Sequence, residues 1–269
     1  MSRMPSLFIS HGSPDTVLAD TAATAFMKRY AAEIERPKAI VVASAHFEVP
    51  GRIAVSVDAD PETIHDFGGF DQRLYEMHYS APGEPDLAKR IVADLEGAGF
   101  KAQAASNRGF DHGTWVPLAL LYPDADIPVV QVSVDPTQDA AYHLRLGRAL
   151  ASLADEDILV IGSGSFTHNL GEAFKALRAG RRDADVPDWV AAFAEWMDAR
   201  IREGDMAALE DWTAQAPHAL QNHPTPEHLM PLYVAIGAAL GEGGREWKAE
   251  PIHSSREFGA LAMDAYAFH

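Results

Sequence analysis

Ser6-Leu-Phe-Ile-Ser-His11-Gly-Ser-Pro14 is a short apolar run that stops on a histidine and then turns. A run that stays apolar on successive residues marks a strand covered on both faces, so this stretch reads as a buried strand delivering an imidazole to its end. The logic recurs at Ala39-Ile-Val-Val-Ala-Ser-Ala-His46 and, more loosely, at Ile158-Leu-Val-Ile-Gly-Ser-Gly-Ser-Phe-Thr-His168. Residues 52–57 and 127–134 read as further strands. Between them run helical periods: 21–35 (Ala22, Phe26, Tyr30, Ile34), 86–97, 138–153, 169–178, 189–202, 206–212 and 229–240. Thr225 and Pro226 fit the cap and first position of the last of these. Strands alternating with helices predict an α/β fold with a mostly parallel central sheet and helices on both faces. In such sheets the functional crevice lies beyond the carboxyl ends of the strands, where His11, His46 and His168 stand. No repeat, low-complexity tract or Gly/Ser/Pro-rich linker divides the chain, so residues 1–269 are expected to form a single domain.

Composition narrows the chemistry. With 47% hydrophobic and 23% charged residues, the 269-residue chain can bury a sizeable core. Thirty-nine acidic against 22 basic residues give a formal charge of -17, which repels phosphate backbones and anionic lipid and argues against nucleic-acid or membrane partners. There is no cysteine, which excludes disulfides and a thiolate nucleophile and leaves nitrogen and oxygen as metal donors. The apolar run at the N-terminus is too short for a secretory segment, and no stretch approaches the roughly 18 apolar residues of a membrane span. A cytoplasmic location is the expectation.

Several strands ending on histidine point to a site assembled from strand ends, and imidazole is the commonest metal ligand. His11 and His46 are the firmest ligand candidates. His223, in the loop Pro217-His-Ala-Leu-Gln-Asn-His223-Pro-Thr-Pro-Glu-His228, supplies a third, because Pro224 fixes the backbone after it and the loop must fold back over the sheet. His65, His78 and His228 lie in segments that would line such a site, and His228 follows His223 closely enough to orient it. Phe67, Phe70, Tyr75 and Tyr79 read as an aromatic pocket wall or as core. His143, His218, His253 and His269 read as surface residues. Gly162-Ser-Gly-Ser-Phe lacks the lysine and spacing of a phosphate loop and is assigned to close packing near the metal.

Six ordered motifs then match a family: His11-Gly-Ser-Pro, Ser44-Ala-His46-Phe-Glu, Ile64-His-Asp-Phe, Asp111-His112-Gly-Thr-Trp-Val-Pro117, Gly162-Ser-Gly-Ser-Phe-Thr-His168-Asn-Leu and His223-Pro-Thr-Pro-Glu-His228. Together they resemble the class III extradiol ring-cleavage dioxygenases, in the DOPA 4,5-dioxygenase-like branch, from Ser6 to about Leu240. The resemblance implies a divalent metal on His11, His46 and His223, His168 as the acid/base residue, and His112 in contact with substrate or oxygen. His65, Phe67, Tyr75 and His228 complete the expected substrate-binding set. A protocatechuate 4,5-dioxygenase-like glutamate ligand is replaced here by histidine, and three neutral imidazoles suit Zn(2+) as readily as the Fe(2+) expected for ring cleavage.

The chemistry that the resemblance implies is a metal-dependent opening of a small catecholic ring by O2. Three protein ligands leave positions for two vicinal oxygens and dioxygen. His168 takes and returns a proton, since an imidazole titrates at about 6.5, and His112 stabilises developing negative charge. The partners expected are therefore a small aromatic diol and O2. Two alternatives use the same residues: a zinc-dependent hydrolase, and a non-catalytic metal-binding interaction protein. Helices around Trp189, Trp196 and Trp212 read equally as a homo-oligomer interface or as elements wrapping the core.

Overall fold

The structure, a computed structural model, describes residues 3–241, 243 and 247–269. The strands are β1 (Ser6–Ser10), β2 (Ala39–Glu48), β3 (Ile53–Ser56), β4 (Ala102–Ala105), β5 (Val129–Val134), β6 (Ile158–Gly164), β7 (Ala249–His253), β8 (Arg256–Glu257), β9 (Leu261–Ala262) and β10 (Ala265–Phe268). The helices are α1 (Ala22–Tyr30), α2 (Pro85–Gly97), α3 (His112–Leu121), α4 (Ala140–Ala149), α5 (Leu170–Arg178), α6 (Asp188–Glu203), α7 (Met206–Glu210), α8 (Trp212–Gln215), α9 (Ala219–Asn222) and α10 (Met230–Leu240).

Eight strands form one sheet in the order β4-β3-β5-β2-β6-β1-β10-β7. The four central strands β5, β2, β6 and β1 are parallel, as expected from the apolar runs of β1, β2 and β6; β5 carries Gln131 and Ser133 within its run. The flanks depart from that pattern: β3 is antiparallel to β5, and β10 is antiparallel to both β1 and β7. The sheet buries both faces. Leu7, Ile9, Ile40 and Val42 pack with α1 and α3 through Phe26, Met27, Trp115 and Leu118. Their neighbours Phe8, Val41 and Ala43 face the other way, toward Phe193, Tyr233, Leu146 and Ile91 of α6, α10, α4 and α2, as the two-residue period of a strand requires.

Helix α10 is buried along its whole length, and glycines let its backbone approach what it touches. A Cβ on Gly147 of α4 would stand 2.1 Å from the Val234 carbonyl, and one on Gly237 would stand 2.1 Å from that of Leu144. On β6, a Cβ on Gly162 would lie 2.0 Å from the Pro231 carbonyl and one on Gly164 2.2 Å from the His228 carbonyl. The sheet therefore admits residues 228–231 only because β6 carries glycine at both places, which bears out the close-packing reading of that motif.

The start of α10 differs from expectation. Thr225 does not cap it: a turn closed by the Leu229 N–H on the Pro226 carbonyl at 2.9 Å comes first, and the helix begins at Met230 with proline in its first turn. Trp212 is buried, and Trp189 and Trp196 pack partly buried against the same cores, so these helices wrap the protein interior. His143 corrects its surface reading. It is fully buried, its Nε2 accepting the Asp135 N–H at 3.2 Å and its Nδ1 donating to the Asp139 carbonyl at 2.8 Å.

Candidate metal centre and active site

Register brings the histidine-bearing strand ends together. Ser10 lies opposite Gly164, and Ser44 opposite Ser163, so His11, one residue past β1, and His46, near the end of β2, emerge side by side. The third imidazole to join them is His228. Its Nε2 lies 3.2 Å from His46 Nε2, which is itself 3.2 Å from His11 Nε2. His11 and His228 are buried, at 2% and 4% exposure.

The expected third ligand, His223, does not converge. Its Nε2 donates to the Phe166 carbonyl at 3.0 Å, and its ring packs on Phe193 and Trp212 with centroids 5.5 and 5.6 Å away. The 226–229 turn separates the two histidines, so that the Ser165 N–H binds the His228 carbonyl at 2.9 Å and draws His228 to the end of β6. His223 stays behind in the core.

Neighbouring groups fix which nitrogen is free on His11 and on His228. Pro117 lies inside α3 and has no N–H, so the helix leaves the Gly113 carbonyl, four residues back, without its usual donor. Ser163 Oγ donates its one hydrogen to that carbonyl. At His11 Nδ1, 3.1 Å away, Ser163 can therefore only accept, which puts the ring proton on Nδ1 and a lone pair on Nε2. The Glu227 carboxylate, 2.8 Å from His228 Nδ1, does the same for His228.

All three rings stay uncharged. Burial, reinforced by the neighbouring imidazoles, pushes His11 well below its ordinary range. Burial and then His112 do so for His46, against a partial pull from Asp66, and burial and then His168 for His228. A hydrogen on His46 Nε2 could satisfy only one of its two neighbours, leaving buried lone pairs facing each other at 3.2 Å. A cation removes that repulsion. Bonds of about 2.0–2.1 Å in a tetrahedral set separate ligand nitrogens by roughly 3.3 Å, so the donor set fits a divalent metal.

Two further histidines complete the pocket. His168 stacks on His228 with centroids 3.4 Å apart and an interplanar angle of 15°, its Nδ1 3.9 Å from Glu227 Oε1. Burial, then the charges of His223 and His112, lowers it to about 3. His112 opens α3, whose first turn is capped by buried Asp111, itself bonded by Ser44 at 2.7 Å and by Arg108. The His112 ring lies 3.9 Å from that of His46. Asp66 accepts from its Nδ1 at 2.9 Å and from its backbone N–H at 3.0 Å, which leaves Nε2 as the free ring atom. Burial raises the Asp66 carboxyl, but the His112 bonds and charge, with His46, outweigh it and hold it at about 2.

These residues line a cavity of about 270 Å³ together with Phe67 and Asp66. His65 and Tyr75 do not reach it. His65 Nε2 binds the Met77 carbonyl at 3.0 Å, and Tyr75 packs behind Phe67 at 5.3 Å; both support the wall from outside. Asp66, Ser163 and Glu227 went unrecognised in the sequence, where a lone carboxylate or serine in a loop carries no periodic signal.

The catalytic LigB subunit of aromatic ring-opening dioxygenase, as a family, matches residues 2–267. The chain belongs to this family. A 4,5-DOPA dioxygenase extradiol from Beta vulgaris is 42% identical over 98% of this chain and 96% of its own, and one from Escherichia coli K12 is 40% identical over 97% and 93%. The crystal structure of an uncharacterized protein from Escherichia coli K12 superimposes with a TM-score of 0.79 at 34% identity, covering 98% of this chain and 99% of that one. As an extradiol ring-opening dioxygenase, the chain departs from the hydrolase and the non-catalytic alternatives. No helix among the described residues is long and apolar enough to cross a membrane.

Proposed function

We propose that this dioxygenase holds one divalent iron on His11, His46 and His228 and opens the ring of a small catechol, with His168 as acid/base and His112 as the group that stabilises negative charge. The observation that carries the reading is the meeting of three Nε2 lone pairs with two further imidazoles in one cavity of about 270 Å³. Bound there, the metal supplies Lewis acidity and the open positions at which a vicinal diol and dioxygen meet.

The chain's own residues do the rest. Burial disfavours the His168 cation and lowers its pKa from the ordinary imidazole value to about 3, so the stacked ring would take the proton released by a diol hydroxyl only as an ion pair with the ionised oxygen beside it, from which it could return the proton to the leaving oxygen. His112 presents Nε2 while Asp66 holds Nδ1, and a proton reaching Nε2 would leave a cation balanced by the Asp66 carboxylate beside the reacting oxygens. Phe67, edge-on to His112 with centroids 5.8 Å apart, closes one side with an apolar ring that excludes water.

Oxygen uptake by iron-loaded protein with catechol, repeated anaerobically, tests the activity. His168→Ala should keep its metal and lose at least about 100-fold in turnover; turnover within twofold of the parent would remove the acid/base role. Oxygen-independent product formation would remove the dioxygenase chemistry itself.

A further inference from the structure

The cavity has two unlike ends. The buried end holds the imidazoles. The open end is formed by one stripe of α5, Leu170, Ala173, Phe174 and Leu177, at the i, i+3, i+4, i+7 spacing of a single helix face. Leu170 and Phe174 are 44% and 38% exposed, large apolar side chains that the described residues cover only in part. Leu261 and Phe258 line the same cavity. Phe258 adopts a left-handed backbone, φ 52°, rare for an aromatic residue. Its N–H is tied to the Arg182 carbonyl at 2.6 Å and its ring lies 4.4 Å from the Arg182 guanidinium. The fold thus holds a strained residue in order to keep an apolar ring at this wall.

Among the described residues no lysine or arginine lines the cavity. Two guanidiniums touch wall residues, and both are ion-paired: Arg182 with Asp15 and Glu257, and Arg108 with Asp111, its Nη2 also reaching the His46 carbonyl while its buried Nε has no partner among the described residues. The charged group that does line it outside the imidazoles is Asp66, in a chain of formal charge -17. An ionised carboxylate on the substrate would meet no cation at this end and an unfavourable field on approach.

We infer that the substrate is a catechol whose ring carries an uncharged, apolar substituent, received by the α5 stripe and Phe258, rather than a catechol bearing a carboxylate. The inference rests on the ring-opening reading above: with both diol oxygens at the imidazole end, the ring's far side points at this wall.

The test compares methyl 3-(3,4-dihydroxyphenyl)propanoate with its free acid on iron-loaded enzyme, by oxygen uptake and by calorimetric binding under nitrogen. The neutral ester should exceed the acid by at least tenfold in kcat/KM, and in affinity. An acid used or bound as well as the ester overturns the inference. Phe174→Arg, and Leu177→Arg as an independent second variant, should each move the preference toward the acid by tenfold or more; an unmoved ratio in both overturns the placement of the substituent. If no diol supports oxygen uptake, the ring-opening reading fails, and the anaerobic affinities still decide whether the wall selects the uncharged partner.

Discussion

Replacing Ser163 with alanine breaks the relay that runs from Pro117 through the Gly113 carbonyl and the Ser163 hydroxyl to His11. Two effects follow from the geometry. The buried Gly113 carbonyl loses its donor, which costs about 1–3 kcal/mol of folding stability. His11 Nδ1 loses the acceptor 3.1 Å away that keeps the proton there, and removing such a partner of a metal-binding histidine costs about 10- to 100-fold in metal affinity, or roughly 1.4–2.7 kcal/mol. Chelator-competition titration with Zn2+ measures the second effect, and urea unfolding of the metal-free protein the first. The imidazole 15N shifts of His11 separate a tautomer effect from simple loosening: the proton should sit on Nδ1 in the parent and spread to Nε2 in Ser163→Ala. Metal affinity within twofold of the parent, with Nδ1 still protonated, would refute the relay. Pro117→Ala, which restores a backbone donor to Gly113, should shift the same signals in the same direction and leave stability nearly unchanged.

His228→Ala should abolish metal binding, whereas His223→Ala should keep the metal and lose about 2–4 kcal/mol through a cavity beside Phe193 and Trp212; metal content by elemental analysis that follows His223 instead would reverse the ligand assignment. Gly164→Ala places a Cβ 2.2 Å from the His228 carbonyl and should displace the turn, weakening metal binding more than tenfold; unaltered binding would show that the approach is not needed. Burial lowers the His143 pKa below its ordinary value, against partial support from the Asp139 carbonyl. The unfolded chain therefore takes up a proton near pH 6.5 that the folded protein refuses, and stability falls as pH drops below that point by up to about 1.4 kcal/mol per pH unit. His143→Gln should flatten this part of the urea-midpoint profile between pH 7 and 5, and an unchanged slope would exclude His143 as a contributor.

Strands β1, β2 and β6 were readable because each carries an apolar run ended by a polar turn, a signal that survives without neighbours. His11, His46 and His168 follow from that, since each lies near or just past a strand end, whereas His112 was readable only through the motif resemblance, its Asp111 cap being visible in the structure. His228 was not readable as the group's third member. The choice between it and His223 depends on a turn seated against Gly162 and Gly164, more than 60 residues earlier in sequence, and local spacing favours neither. Strands β7 to β10 escaped notice because β8, β9 and β10 are short and the pairing of β10 with β1 and of β7 with β10 is set by distant contact rather than by period. His143 misled because its helix also carries arginines, while its own side chain turns inward to Asp135.

The pairing of β1 with β10 sets a timetable for the nascent protein. Leu7 finds Ala267, and Phe8 finds Tyr266, across some 260 positions, so at about 5–20 residues per second the ribosome needs on the order of tens of seconds to supply the partner. Throughout that interval a strand with an apolar centre, Leu7-Phe-Ile9, presents one row of unmatched amides and carbonyls, the kind of edge on which chains aggregate. The segment carrying His11 is thus made long before the strand that shields it, and it is a stretch a holding chaperone would have reason to protect.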